Sequence, residues 1–166
     1  MDPLTPAQRK LNMSRIRGRD TGPEMTIRRG LHALGHRYRL HDRRLPGAPD
    51  LVFPGRKAVV FVHGCFWHRH GGCRYATTPY TRAEFWAAKF DANVWRDNAV
   101  RVMLLGAAWR VATVWECALR KPDRIPSAVL AVSDWLKSEE ITFELGMDEL
   151  EAHSISQAGS CPHSEI

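Results

Sequence analysis

The chain has 166 residues, 44% hydrophobic and 25% charged, which excludes a disordered or fibrous protein and fits one globular domain. Its formal net charge of +6 supports nucleic-acid binding and simple solubility about equally. No run of about 18 apolar residues occurs and residues 1–10 lack an apolar core, so we expect neither a spanning helix nor a signal peptide, and a cytoplasmic protein.

The two ends of the chain are predicted to differ from its middle. Residues 5–18 are predicted to form a short basic helix, with Thr5 as its cap and Pro6 at its first position. This N-terminal arm, residues 1–18, is either a solvated extension or a clamp on a phosphate backbone, and the sequence supports both alternatives equally. Residues 151–166 are polar and are predicted to be a flexible tail.

A second helix opens the main domain, which we place at residues 19–150. Thr21 and Glu24 have the spacing of a capping box, and Pro23 suits the first helical position. Glycine is common just past the end of a helix, so Gly35 is predicted to end this one.

The middle of the chain predicts a small mixed sheet. The candidate strands, the first of them at an edge, are residues 37–40, 50–53, 57–62 and 110–115. The β-branched run of residues 57–62 is typical of a strand that is buried on both faces. A long helix over about residues 82–105 is predicted to begin with a capping box of Thr81 and Glu84, and residues 126–137 form the last helix. The chain is therefore predicted to be a single α/β domain, with a central mixed sheet flanked by helices.

Cysteine and histidine concentrate directly after the third predicted strand. Cys65 and Cys73 flank His70 at the short spacings that zinc accepts, and clustered cysteines in a cytosolic chain indicate metal more often than disulfides. Cys117 is the natural fourth ligand, because pairing of the strands would bring it beside Cys65. Four protein ligands leave no open position, which predicts a structural zinc. The alternative is free buried cysteines with surface histidines; Cys161, in the tail, is not expected to be a ligand.

A carboxylate and two further histidines indicate a second site. Asp50 stands at the start of a strand, where it is either an Asx-turn residue or a ligand of Mg²⁺. The neighbouring strand ends at Val62, close enough to contribute a main-chain oxygen. If zinc takes only His70, His63 and His68 remain to activate a water or to steady a phosphate. Together these residues suggest metal-dependent phosphodiester cleavage.

Several segments closely resemble the very short patch repair (Vsr) endonucleases. The most specific are Leu-Pro-Gly-Ala-Pro-Asp at residues 45–50, Val-His-Gly-Cys-Phe-Trp-His at residues 62–68 and Val-Trp-Glu-Cys-Ala-Leu at residues 114–119. Others lie at residues 12–16, 19–24 and 81–86. The resemblance implies a fold related to type II restriction endonucleases with a structural zinc. It also implies a Mg²⁺-dependent enzyme that nicks double-stranded DNA on the 5′ side of the T of a T:G mismatch left by deamination of 5-methylcytosine.

Carried over by position, the resemblance assigns roles to individual residues. The catalytic residues are Asp50 and the Val62 carbonyl oxygen as Mg²⁺ ligands, His68 as the general base, Asp97 to orient it, and His63 and Glu24 around the phosphate. The zinc ligands are Cys65, His70, Cys73 and Cys117. The DNA-binding residues are Phe66, Trp67 and Trp86 as a wedge into the base stack, Met13 from the opposite groove, and Arg15 and Arg19. The implied partners are bacterial nucleoid DNA and mismatch-repair proteins, and the implied state is a monomer.

The chain departs from the family pattern in two places. Val62 stands where the best-known members have Thr, and metal binding is expected to survive because the role belongs to the main chain. Residues 68–73 are one residue longer and replace histidines by Arg and Gly, so both His68 and His70 remain candidates for the zinc.

Several alternatives stay open beside the resemblance. On residues alone, Trp67 and Trp86 would pack over the zinc loop, while Phe85, Phe90, Trp109, Trp115 and Trp135 are assigned to the core. The alternative functions are a zinc-stabilised DNA-binding module for distorted duplex and a restriction-type endonuclease on paired DNA. Asp50 and His68 favour the nicking enzyme over the binding module, because a protein that only binds DNA needs neither side chain.

Overall fold

The computed structural model describes residues 5–16 and 18–150, and the predicted tail and Cys161 lie outside them. The described helices are α1 (Pro6–Arg15), α2 (Gly22–Ala33), α3 (Cys65–His68), α4 (Ala83–Gly106) and α5 (Ile125–Lys137). The described strands are β1 (Arg39–Leu40), β2 (Leu51–Phe53), β3 (Ala58–His63), β4 (Arg110–Trp115) and β5 (Thr142–Leu145). None of these helices combines the length and the apolar character needed to cross a membrane.

The five strands form one mixed sheet in the order β1-β2-β3-β4-β5. The first three strands pair antiparallel, whereas β3, β4 and β5 run parallel. His63 lies opposite Trp115 at the ends of β3 and β4, so the segments that follow both strands leave the sheet at the same edge. This register brings Cys117 beside Cys65, as the sequence predicted. The mixed sheet with flanking helices confirms the α/β class and fits a nuclease-like fold.

The core lies on both faces of the sheet. Alternate residues of β3 divide between them: Ala58 and Val60 pack with α2 and α5, whereas Val59 packs with Leu104 of α4. All three are fully buried, which confirms the prediction for this strand. The helices α2 and α5 cross closely at Gly30, where an added Cβ would lie 2.5 Å from a methyl carbon of Val129. Only glycine therefore fits this crossing without a shift of the helices.

Both predicted capping boxes need correction. Thr21 does cap α2 through the Glu24 N–H, but Pro23 is the second helical residue rather than the first. The Glu24 carboxylate accepts from the Asp20 N–H instead of returning to Thr21, because it faces inward. At α4 the capping box is wrong: the helix begins at Ala83 after Arg82, which adopts φ 58° and provides no side-chain cap.

Three further expectations differ from the structure. The segment after β3, predicted as a loop, contains the one-turn helix α3. Strand β5 was not predicted: its residues Thr-Phe-Glu-Leu do alternate polar and apolar side chains, but four residues are too few for the pattern to stand out. Phe85 was assigned to the core but is 47% exposed, whereas Phe90, one helical turn and a half further on, is buried.

Candidate active site and metal centre

A single turn of helix separates two clusters of side chains that have different chemistry. Strand β3 ends at His63 and α3 begins at Cys65, so neighbouring residues leave the sheet in different directions. Cys65 is fully buried on one side of the turn. His68, at the other end of α3, lines an open cavity that it shares with Asp50.

The first cluster contains three cysteines and a histidine. The candidate ligand atoms of Cys65, His70, Cys73 and Cys117 all lie within 4.8 Å of one another. The Nδ1 atom of His70 is 3.6 Å from the Sγ of Cys65 and 3.5 Å from the Sγ of Cys117. The three cysteines are free rather than disulfide-bonded. Three soft sulfur donors and one imidazole are a donor set and a number of ligands that suit tetrahedral zinc.

The electrostatics of this cluster favour a thiolate. A hydrogen bond from the Cys65 thiol lowers the pKa of Cys117, and a backbone N–H of Met147 contributes in the same direction. The same thiol–thiol hydrogen bond, together with burial, raises the pKa of Cys65. Thiolates are the form of cysteine that binds metal, so a lowered pKa at Cys117 suits it to act as a ligand.

Aromatic packing fixes the histidine of this cluster. The ring of His70 stacks on Trp115, with centroids 4.2 Å apart and planes 8° from parallel. The Trp115 indole N–H donates to Glu144 on the unpredicted strand β5 at 2.7 Å. Of the two histidines that the sequence left as candidates, the structure places His70 with the cysteines and His68 elsewhere.

The second cluster is built around His68. Its Nδ1 is 2.6 Å from an Asp97 carboxylate oxygen on α4. The ring of His63 stacks on that of His68, with centroids 3.8 Å apart and planes 6° from parallel. Burial and, to a smaller extent, the neighbouring His68 lower the pKa of His63 to about 3, against an opposing effect of Asp97, so His63 is uncharged near neutral pH. A carboxylate that holds one ring nitrogen leaves the other free to exchange a proton with a substrate water.

Asp50 lies beside this cluster at the start of β2. Its carboxylate accepts a hydrogen bond of 2.7 Å from the Val62 N–H, which ties the ends of β2 and β3 together. Burial raises the pKa of Asp50 to about 6; the negative charge of Glu24 also raises it, and the hydrogen bond from Val62 opposes both effects. A nearby cation stabilises the ionised form of a buried carboxylate. The hard oxygen atoms of a carboxylate also suit Mg²⁺.

An open cavity of about 550 Å³ joins these groups. Its lining includes the predicted residues Asp50, Val62, His63, His68 and Asp97, together with Arg19 of the DNA-binding set. Two arginines that the sequence did not single out, Arg43 and Arg96, also line it and would favour an anionic substrate.

Glu24 occupies a different position from the other predicted catalytic residues. Its side chain is 2% exposed, and one carboxylate oxygen accepts from the Asp20 N–H at 2.8 Å. The other oxygen lies 3.2 Å from an Arg28 nitrogen and 3.0 Å from the Nε2 of His41. Glu24 is therefore held behind the cavity wall by protein groups. No periodic pattern marks His41, which lies in the irregular loop after β1, so the sequence reasoning missed it.

The predicted DNA-binding aromatics form one group on the other side of α3. The ring of Phe66 lies 5.0 Å from that of Trp67 and 5.6 Å from that of Trp86, and all three are half-buried. Across a mostly apolar cavity of about 660 Å³ from these rings lies Met13 of α1, which is 43% exposed. Arg15, at the end of α1, is exposed. The arm and the aromatic group thus face each other across an open space.

Comparison with known proteins supplies independent information. The family model described as DNA mismatch endonuclease Vsr matches residues 1–75. The type II nicking enzyme V.XorIIP of Xanthomonas oryzae is 48% identical over 118 residues, which are 71% of this chain and 86% of that protein. The DNA mismatch endonuclease Vsr of Escherichia coli is 40% identical over 135 residues, 80% of this chain and 86% of that protein. The type II nicking enzyme V.NmeAIP of Neisseria meningitidis is 38% identical over 119 residues, 72% of this chain and 84% of that protein.

Proposed function

Because the chain belongs to the Vsr family of DNA mismatch endonucleases, we propose that this DNA endonuclease is a Mg²⁺-dependent enzyme that nicks one strand on the 5′ side of the T of a T:G mismatch. Such a mismatch arises when 5-methylcytosine deaminates, and the nick would begin very short patch repair. The observation that carries the proposal is the shared cavity, in which Asp50 lies beside the hydrogen-bonded pair of His68 and Asp97.

Different residues of the cavity are proposed to bind the metal, to accept a proton and to orient the base during hydrolysis. When bound, Mg²⁺ supplies Lewis-acid stabilisation of the charge that develops on the scissile phosphate. Asp50, with the Val62 carbonyl oxygen, is the group proposed to hold it. His68 takes the proton of the attacking water, while Asp97 fixes the orientation of the ring and stabilises the positive charge that the ring acquires. His63 stays uncharged, and its stacked ring limits the motion of His68.

The cysteine and histidine cluster is proposed to hold a structural zinc. Cys65, His70, Cys73 and Cys117 provide four ligands, which fills a tetrahedral site and leaves no position for a substrate. Cys65 begins α3, the helix that ends at His68. A zinc at this cluster would therefore fix one end of the helix that presents the general base.

Mismatch recognition is proposed to depend on the aromatic group and the arm. Insertion of Phe66 and Trp67 between base pairs would unstack the duplex, which costs a few kcal/mol per step and is least for a mismatched pair. Met13 would enter from the opposite groove, while Arg15 and Arg19 contact phosphates. The cavity between α1 and the aromatic rings supports this arrangement, because Met13 and the rings line it from opposite sides.

The test is strand cleavage on matched duplexes. End-labelled T:G and T:A duplexes of the same sequence are incubated with the enzyme and Mg²⁺, and the position of each break is read on a denaturing gel. A single break on the 5′ side of the mismatched T is expected, with none in the T:A duplex and none when Mg²⁺ is omitted. Breaks in both strands of the T:A duplex would instead identify an endonuclease that acts on paired DNA.

A further inference from the structure

A histidine that the proposed mechanism does not use lies between two of its carboxylates. The Nε2 atom of His41 is 3.0 Å from an oxygen of Glu24, and its Nδ1 is 3.8 Å from an oxygen of Asp50. Neither contact has the geometry of a hydrogen bond among the described residues, so the ring is packed between the two carboxylates. The side chain is only 16% exposed, and it forms part of the wall of the active-site cavity. One imidazole ring thus spans the gap between a carboxylate behind the wall and the carboxylate proposed to bind Mg²⁺.

The backbone holds this ring in place at a conformational cost. Leu40 pairs with Leu51 in the sheet, so the residue after β1 is brought next to the residue before β2. The His41 N–H donates to the carbonyl oxygen of Asp50 at 3.3 Å. His41 adopts φ 47°, in the left-handed region that side chains other than glycine rarely occupy. Backbone strain of this kind persists where surrounding contacts enforce it, and it concentrates at functional sites.

Glu24 gives the ring a fixed anchor. It lies in the first turn of α2, and its carboxylate contacts the Asp20 N–H and the Arg28 guanidinium as well as His41. Arg28 also bonds Asp20, which closes a small network at the start of the helix. Since Glu24 is almost fully buried and is held by the Asp20 N–H and by Arg28, a ring packed between it and Asp50 limits the positions that the Asp50 carboxylate can take.

We propose that His41 is a positioning residue, which orients the Asp50 carboxylate toward the cavity by bridging it to Glu24. The inference rests on the proposed function in one respect, namely that Asp50 binds the divalent cation. Residues that orient metal ligands from behind typically change metal affinity by about 10- to 100-fold when they are removed. Loss of the His41 ring should therefore weaken the response to Mg²⁺ more than it slows the chemical step at saturating Mg²⁺.

The experiment compares His41→Ala, His41→Gln and the control His32→Ala, which alters an exposed histidine at the end of α2. Single-turnover nicking of a T:G duplex is measured over a range of Mg²⁺ concentrations. His41→Ala is expected to raise the half-saturating Mg²⁺ concentration by about 10-fold or more, with a rate at saturation within a few-fold of wild type. His41→Gln keeps a planar polar group between the two carboxylates and should recover most of the affinity, while His32→Ala matches wild type.

Direct binding of Mn²⁺ to the DNA-free proteins, measured by electron paramagnetic resonance, separates this proposal from the proposed function. Weaker Mn²⁺ binding by His41→Ala supports the positioning role even if wild type fails to nick the T:G duplex, which would defeat only the proposed function. Unchanged Mn²⁺ binding and unchanged Mg²⁺ dependence in His41→Ala would overturn the positioning role while leaving the nicking activity intact. The role is also overturned if His41→Gln is as defective as His41→Ala and both melt at lower temperature, since that result indicates a purely structural residue.

Discussion

The two clusters on either side of α3 differ in both donor chemistry and access to solvent. The cluster of Cys65, His70, Cys73 and Cys117 consists of three soft sulfur donors, two of them buried, and one imidazole, and its ligand atoms are close enough to surround one ion completely. The cluster around Asp50 and His68 consists of oxygen and imidazole groups that line an open cavity. This difference fits the two metals proposed for them, because a stabilising metal would need to be enclosed and a reacting metal would need to remain accessible to substrate.

The largest expected effect comes from the enclosed cluster. Cys117→Ser replaces a buried soft donor, and a structural zinc contributes its binding energy to folding, so the protein should lose bound metal and on the order of 5 kcal/mol of stability or more. Zinc content is measured by elemental analysis and stability by urea unfolding.

A matched control for this variant is Cys161→Ser, because the tail cysteine is not expected to be a ligand. It should retain both the metal and wild-type stability. Wild-type protein that contained no stoichiometric zinc, and melted at the same temperature after treatment with a chelator, would contradict the distinction between the two clusters.

The next largest effect is expected at Asp50, in the open cluster, where a substitution should raise the stability of the protein instead of lowering it. Asp50→Asn should reduce nicking by about 10³-fold or more, since a metal ligand contributes several kcal/mol to the transition state. The pKa of Asp50 is about 6 in the folded protein, above the 3.8 of an unperturbed Asp. The Asp50 carboxyl group therefore holds its proton more tightly in the folded state than in the unfolded state. As the pH rises from about 4 to about 6 the carboxylate ionises, and the free energy of unfolding falls.

Removal of that charge should stabilise the protein above pH 6. Asp50→Asn is expected to raise the free energy of unfolding by about 1–3 kcal/mol at pH 8 without added Mg²⁺, and the gain should disappear below about pH 4. Urea unfolding at the two pH values measures the difference. A variant that loses nicking together with stability at pH 8 would mean that Asp50 is a structural residue.

A smaller effect is expected at the pair of His68 and Asp97. Asp97→Asn keeps the size of the side chain but removes the charge that orients and stabilises the imidazole, so nicking should fall by about 10²-fold. DNA affinity, measured by fluorescence anisotropy, should change less than about threefold. An equal loss of affinity and of rate would assign Asp97 to DNA binding instead.

The aromatic group should affect recognition more than chemistry. Trp67→Ala removes a ring that packs within a group of half-buried aromatics, and the loss of one base-stacking platform is worth about 1–3 kcal/mol. Affinity for a T:G duplex should therefore fall by about tenfold, with a smaller loss for paired DNA. Trp95→Ala, which alters an exposed tryptophan on α4, is a suitable control. Equal losses for both duplexes would contradict a wedge specific for the mismatch.

The parts of this arrangement that could be predicted are those that depend on local pattern and strand pairing. Cys117 was predicted beside Cys65 because two buried strands of similar length were expected to pair, and the register of β3 with β4 confirms this. The inward turn of Glu24 was not predictable, because its partner His41 becomes a neighbour only in the folded protein, although Arg28 is an i,i+4 neighbour on the same helix. The contribution of β5 could not be predicted for the same reason: Glu144 accepts a hydrogen bond from the Trp115 indole only when the fold brings the two residues together.

The smallest predicted effect tests whether the structure of the cysteine cluster affects the position of His68. The Glu116 carboxylate accepts a hydrogen bond of 3.3 Å from the Cys65 N–H at the start of α3 and lies 3.6 Å from Arg120. Since Glu116 directly precedes Cys117, it links the enclosed cluster to the first turn of the helix that presents His68. Glu116→Ala removes this cap and should cost about 1 kcal/mol of stability, with a loss of nicking of about two- to fivefold.

Glu116→Gln keeps a carbonyl acceptor and is the matched control for this cap. If it restores both stability and nicking, the hydrogen bond to Cys65 is the cause. If Glu116→Ala lowers stability without any change in nicking, the position of α3 depends on the metal cluster alone, and the two regions act independently. A loss of nicking with unchanged stability and zinc content would instead mean that Glu116 acts directly on DNA, from the cavity that it lines together with Trp67 and His68.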